Sequence, residues 1–383
     1  MENDYLKKML YTALIIMLAA TSVLVIYLMM PKKSAKNKQE KAASIAEQSS
    51  SAIEKPAGFS DSEKQEYAER YRKTIESQKY IIHALGGMNG TDNYINSIDP
   101  LRLIYAKGYR LFEADVSFTS DGRLVLAHSG QGNVWTKSDW KDRLGQDYPF
   151  DSSSKADSSM AEASMTDSSL IDSSLTDSST TDATSADKHL CDYETFMGFR
   201  IQKKYKATSF RELVGFMAEH KDMFVMIDGG ERSFEDTKAY YSAVLNETRE
   251  EVRELSVGLT AEEEDAIMKD VLGRMVVGGQ TIEMLNAVKE VYDFPLINFY
   301  YNSNEKREGE LCKPIDFIHY CDDNGVSSFS VAKDVYDQQT AQALEKSTLM
   351  SFVFTVNDPA EEARINAYGA DIIGTDYLWD EQE

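Results

Sequence analysis

Eight short apolar runs, spread between residues 79 and 376, constrain this sequence more than any other feature. They are KYIIHAL (79–85), LFEADV (111–116), FVMIDGG (224–230), RMVVGGQ (274–280), LINFYY (296–301), VSSFSV (326–331), SFVFTV (351–356) and ADIIGTD (370–376). Runs of this length, rich in β-branched and aromatic residues, read as strands. Amphipathic stretches such as SFRELVGFMAEH, TIEMLNAVKEVY and DQQTAQALEKS separate most of them. Parallel strands need such crossover helices. Eight of these units over about 300 residues predict a TIM (β/α)8 barrel. An open doubly wound sheet is the structural alternative, but no G-x-G-x-x-G follows any of the runs to support dinucleotide binding.

In a parallel barrel the chemistry sits at the C-terminal strand ends, and the polar residues of this sequence recur there. His83 ends the first run, Glu113 and Asp115 end the second, Asp228 the third and Gln280 the fourth. Asn357 and Asp358 follow the seventh, and Asp376 the eighth. His128 ends RLVLAH, the return strand of a hairpin turned by Asp121-Gly122. Glu113 and Asp115 stand at i and i+2 and share one face. Two carboxylates on one face repel unless a cation lies between them, and oxygen-only ligands favour Mg²⁺ or Ca²⁺. Asp228 could complete the cluster. His83 and His128 could share general base and general acid roles across a bound phosphate. Each residue also has a plainer reading: a solvated strand face for the carboxylates, a structural histidine, a loop cap for Asp376. Gly86 and Gly87 read as loop formers that could also let the backbone approach a ligand.

Outside the barrel pattern, residues 9–30 form an uncharged apolar run. About 20 such residues span a bilayer as a helix, so the expected order is a tail (1–8), a transmembrane helix (9–30), a flexible tether (31–59) and the barrel (60–383). SDSEKQEYAERYRKTIES (60–77) reads as a helix capped by Ser60 or Ser62. Residues 151–187 are almost all Ser, Thr, Asp and Ala, with D-S-S at 151, 157, 167, 172 and 177, and read as a disordered low-complexity loop insertion. The formal net charge of −23 argues against a nucleic-acid partner, which needs a concentrated basic surface. Cys191, Cys312 and Cys321 form neither a disulfide framework nor a zinc motif, though one Cys312–Cys321 bridge is conceivable.

The stretch HALGG…YINSIDPLRLIYAKGYRLFEADVSFTSDGRLVLAH resembles the opening of the glycerophosphodiester phosphodiesterase family, within the phosphatidylinositol phospholipase C-like phosphodiesterases. Asn96-Ser97 stands at that family's Asn-Thr, Glu113-Ala114-Asp115-Val116 at its Glu-x-Asp-Val strand and Thr119-Ser120-Asp121-Gly122 at its turn. FVFTVNDPAEEARINAYGADIIGTDYL resembles its closing segment. The resemblance covers roughly residues 79–383 apart from the insertion. It implies a TIM barrel, a divalent metal and phosphodiester hydrolysis, with His83 and His128 as the acid–base pair and Glu113, Asp115 and Asp228 as metal ligands. The chain is a divergent member: Ala84 replaces the family's Arg, Gly230 its Lys, Phe354 its Trp and Ser129 its Asp, while Asp228 stands where Glu is usual. Losing two phosphate-facing cations means that another cation replaces them, the substrate differs or activity is lost. The intact histidines and carboxylates favour an altered substrate.

The expected protein is a membrane-anchored phosphodiesterase acting on a phosphodiester small molecule or lipid headgroup, or on an envelope glycerol-phosphate. The rival is a catalytically silent barrel that binds a polyol, glycan or lipid headgroup. The expected location is the cell membrane, single-pass, with the barrel outside the cytoplasm. Five lysines just after the span oppose that orientation by the positive-inside rule.

Overall fold

The computed structural model describes residues 58–128, 191–230, 232–301, 306–307 and 310–380. The expected membrane span (9–30), nearly all of the expected tether and the 151–187 insertion lie outside the described residues. Among the described residues no helix is long and apolar enough to cross a membrane.

Each of the eight apolar runs holds a barrel strand: β1 (Tyr80–Ile82), β2 (Leu111–Phe118), β3 (Phe224–Asp228), β4 (Met275–Gly279), β5 (Ile297–Tyr300), β6 (Ser328–Ala332), β7 (Met350–Phe354) and β8 (Ile372–Thr375). All pair in parallel, β1 pairs with both β8 and β2, and the sheet closes. Closure excludes the open doubly wound alternative. Carried from strand to strand, the register starting at Glu113 returns to β2 eight residues earlier. That shear of eight is the TIM-barrel value, in which each layer of lumen side chains comes from alternate strands.

One cluster fills the lumen: Ile81, Leu111, Phe224, Met226, Val276, Leu296, Tyr300, Met350, Phe352 and Ile372. Tyr71 and Ile75 of helix α1 (Asp61–Ser77) join it and close the N-terminal end. They lie four residues apart, hence on one helical face. Ser60 caps α1 with a reciprocal Ser60–Glu63 box. A larger core lies between the barrel and the crossover helices, and it includes Phe112, Val225, Val277, Phe299 and Val353, the outward residues of the strands. Each such buried side chain contributes about 1.5–3 kcal/mol. The crossovers named from sequence form α-helices at Phe210–Glu219, Ile282–Val291 and Gln338–Glu345, capped by Ser209, Thr281 and Asp337.

One expectation needs correction. β2 runs past Asp115 to Phe118 before the turn, because it continues into an antiparallel hairpin with Leu124–Leu126. Glu113 and Asp115 therefore lie within the strand, and it is the barrel wall that ends near them. The three cysteines are all free and buried, so Cys312 and Cys321 form no bridge.

Candidate active site

The C-terminal mouth is built from local backbone constraints. After Ile82 the chain makes a 3-10 turn, His83–Leu85, with Ala84 at φ 48, so His83 stands just beyond β1 rather than in it. The turned peptide directs the Ala84 N–H to Glu113 Oε2 at 2.8 Å. Asn96 reaches Asp115 twice: its Nδ2 donates to Asp115 Oδ2 at 2.7 Å, and its Oδ1 accepts from the Asp115 N–H at 3.0 Å. Ser97, its neighbour, caps the helix Ile98–Ala106. Asp228 ends β3, and its Oδ1 accepts from the Gly230 N–H at 2.7 Å. Gly230 has φ 69, a left-handed conformation that glycine adopts without strain.

One oxygen of each carboxylate is thus held, and the second has no hydrogen-bond donor among the described residues. Ligand oxygens of Glu113, Asp115 and Asp228 all lie within 4.8 Å of one another. Glu113 and Asp115 are almost wholly buried. Burial, then the Asp115 charge, pushes Glu113 well above the usual carboxylate range; the same two causes raise Asp228. Two buried carboxylates and a half-buried third, mutually repelling and each with one oxygen hydrogen-bonded, fit a hard divalent cation, whose ligands are oxygen atoms.

His83 Nδ1 lies 2.8 Å from Asp376 Oδ1 and so donates to it; Nε2 then faces Glu113 Oε2 at 3.9 Å. Burial alone would depress the imidazole, but the Asp376 hydrogen bond and the Glu113, Asp376 and Asp115 charges outweigh it and raise it to about 9. Asp376 is itself fixed: Asn357 Nδ2 donates to its Oδ2, and its N–H donates to Asn357 Oδ1, both at 2.8 Å. Gly87 admits this arrangement, because a Cβ there would lie 2.9 Å from the Asp376 carbonyl oxygen. The glycine makes room for protein backbone rather than for a ligand. His128 Nε2 lies 3.9 Å from Asp115 Oδ1 and is more exposed than His83.

The structure therefore brings together all five residues expected from sequence. It reassigns Asp376 from a loop cap to the partner of His83, and Asn357 to the support of Asp376. Asp358 only caps a helix, Pro359–Tyr368. Asp121 is a turn residue, its Oδ1 accepting from Thr119 Oγ1 and from the Tyr193 N–H. Tyr94 was not legible. Its ring lies 5.0 Å from each of His83 and His128, edge-to-face with both. It holds φ 50 between two pinned neighbours: Asp92, bound by Lys204 and Tyr205, and Asn96. No period or motif marks such a loop position. The positions where cations were expected carry the buried Ala84 methyl and Gly230, where a Cβ would meet nothing within 4 Å.

Fold and site together define a class: a parallel (β/α)8 barrel with a carboxylate cluster able to hold a cation at its C-terminal mouth. A profile of the glycerophosphoryl diester phosphodiesterase family matches residues 89–379. The chain belongs to that family and is a phosphoric diester hydrolase. Among solved structures, a Galdieria sulphuraria protein assigned as a glycerophosphodiester phosphodiesterase shares the fold, with a TM-score of 0.50 at 14% identity over 78% of this chain and 94% of that one. A glycerophosphodiester phosphodiesterase from Parabacteroides distasonis is 16% identical over 78% of this chain and 93% of that one, with a TM-score of 0.43. No curated protein matches the sequence. The 14% identity to the Galdieria sulphuraria protein agrees with a divergent member.

Proposed function

We propose that this chain is a membrane-anchored, metal-dependent phosphodiesterase that cleaves a glycerophosphodiester-like bond with His83 and His128 as its acid–base pair. The observation that carries this reading is the convergence of Glu113, Asp115 and Asp228 within 4.8 Å beside both histidines. Glu113, Asp115 and Asp228 would hold Mg²⁺ or Ca²⁺, which when bound neutralises phosphate charge. Asp376 keeps the His83 Nδ1 protonated and its Nε2 turned to the lumen. One histidine takes the proton of the attacking oxygen as the new P–O bond forms. The other gives a proton to the alkoxide as the old P–O bond breaks. The attacking oxygen belongs to water, or to a neighbouring substrate hydroxyl that would leave a cyclic phosphate.

The domain order proposed with this function places the apolar run 9–30 in the bilayer, residues 31–59 as its tether and 151–187 as a loop insertion. The barrel then works outside the cytoplasm on lipid headgroups or envelope glycerol-phosphates. Release of free alcohol from a panel of glycerophosphodiesters tests the chemistry, with added Mg²⁺ or Ca²⁺ and again with chelator. Turnover abolished by chelator and by His83→Ala or His128→Ala is expected. Equal inactivity of wild type and His83→Ala across the panel would leave the silent barrel that binds a polyol, glycan or headgroup. Protease cleavage within 151–187 on intact cells tests the orientation, and complete protection would reverse it.

A further inference from the structure

The lumen carries a polar atom that the packing does not explain. Tyr300, the last residue of β5, is 6% exposed, and its hydroxyl has no hydrogen-bond partner among the described residues. A buried hydroxyl left without a partner costs stability, and Phe would fill the same space without that cost. The register around the barrel locates this hydroxyl. With a shear of eight, each lumen layer draws one side chain from every second strand. Followed through the strand pairings, the layer that contains Tyr300 also contains His83, Asp228 and Phe354. These four come from β3, β5, β7 and the end of β1. In an eight-stranded closed barrel the first and fifth strands stand opposite, so Tyr300 faces the space on whose far side His83 stands. The Tyr300–Phe354 ring separation of 6.4 Å agrees with neighbouring members of one layer. Burial, then the charges of Asp228, Glu113, Tyr241 and Asp115, push the phenol well above its ordinary range.

We propose that the Tyr300 hydroxyl donates a hydrogen bond to a phosphoryl oxygen of the bound diester, from the wall opposite His83. This rests on the phosphodiesterase reading of the site and adds a substrate-binding residue to it. The acidic wall supplied by β2 and β3 attracts a cation and repels a bare phosphate, so the phosphoryl oxygens need donors from elsewhere. The side-chain cations expected at positions 84 and 230 are absent. A neutral phenol on β5 supplies a donor without adding a charge to the lumen. A phenol also accounts for Tyr rather than Phe at a buried position with no partner among the described residues.

The test is Tyr300→Phe in the full-length chain, which removes one oxygen and keeps the ring. Two readouts are taken with Mg²⁺ present: the melting temperature without phosphate, and the affinity for inorganic phosphate from the thermal shift it induces. The melting temperature is expected to rise by about 2 °C or more, because an unpartnered buried hydroxyl is removed. Phosphate affinity is expected to fall about tenfold, the loss of one buried hydrogen bond. A purely structural hydroxyl would give the reverse pattern, a lower melting temperature with phosphate affinity within twofold of wild type, and that result overturns the inference. Glu113→Gln and Asp228→Asn are measured alongside. If they lose phosphate binding while Tyr300→Phe keeps it, the Tyr300 assignment alone is wrong. If phosphate affinity survives both carboxylate changes, or wild type binds no phosphate, the site reading fails and this inference with it.

Discussion

At the scale of single residues, the site works by fixing which atom of each side chain is available. Asp376 accepts a hydrogen bond from the Nδ1–H of His83, and Asn357 holds Asp376 from the other side. The contact joins residues 293 apart in sequence, so no local pattern announces it; only the closure of β8 onto β1 makes it. Asp376→Ala removes the constraint on tautomer and ring orientation while leaving the three carboxylates in place. Turnover should fall by on the order of a hundredfold, with metal affinity changed much less. Steady-state kinetics and a metal titration on the same sample check this, and a metal affinity that collapses with the rate would assign Asp376 to the cation site instead. Glu113, Asp115 and His83 were readable in sequence because a strand has a period of two and a parallel barrel puts its strand ends on one rim. Tyr94 and Tyr300 were not readable. One sits at a positive φ in a loop, and the other is an ordinary strand tyrosine until its layer is known.

Elements decide where that rim stands. α1 closes the opposite end of the barrel by inserting Tyr71 and Ile75 into the lumen cluster, and its first turn is held by the Ser60–Glu63 box. The Ser60 backbone N–H, together with Lys269, holds the Glu63 carboxyl down at about 2. Ser60→Ala should cost about 1 kcal/mol of stability without changing the rate, because the cap lies at the far end from the site. Thermal unfolding and activity measured together test this, and a rate loss matching the stability loss would show that the plug and the mouth are coupled. The helix was legible in sequence and its cap was narrowed to Ser60 or Ser62; the reciprocal bonds with Glu63 select Ser60. That the helix plugs a lumen was not, because amphipathicity says only that a face is buried and not against what.

For the whole molecule, the carboxylate cluster links stability to pH and metal. Burial and mutual repulsion raise Glu113 and Asp228 above their unfolded values. The metal-free native state therefore binds more protons than the unfolded chain over that window. Its stability falls as pH rises from the ordinary carboxylate range up through the raised values. A divalent cation binds the deprotonated carboxylates, so its binding should release protons over the pH range in which the raised carboxyls are still protonated. At a hundred times its Kd it should add about 2.7 kcal/mol of stability, with the gain shrinking as pH falls toward about 4.5. Melting curves with chelator and with Mg²⁺ or Ca²⁺, and calorimetry in buffers of different ionisation enthalpy, measure both effects. A metal response equal at pH 5 and pH 8 would argue that these carboxylates are not the ligands.

By itself the sequence determined the eight strands, the amphipathic helices between them, the hairpin after β2 and the identity of three carboxylates and two histidines. These follow from periodicity, turn chemistry and short-range spacing, which are local properties. The tertiary structure decided closure over an open sheet, the shear that sorts lumen residues into layers, the pairing of Asp376 with His83 and the placement of Tyr300 opposite that histidine. Each depends on which strand lies beside or across from which. That relation is set by register around the whole barrel, and no single segment carries it.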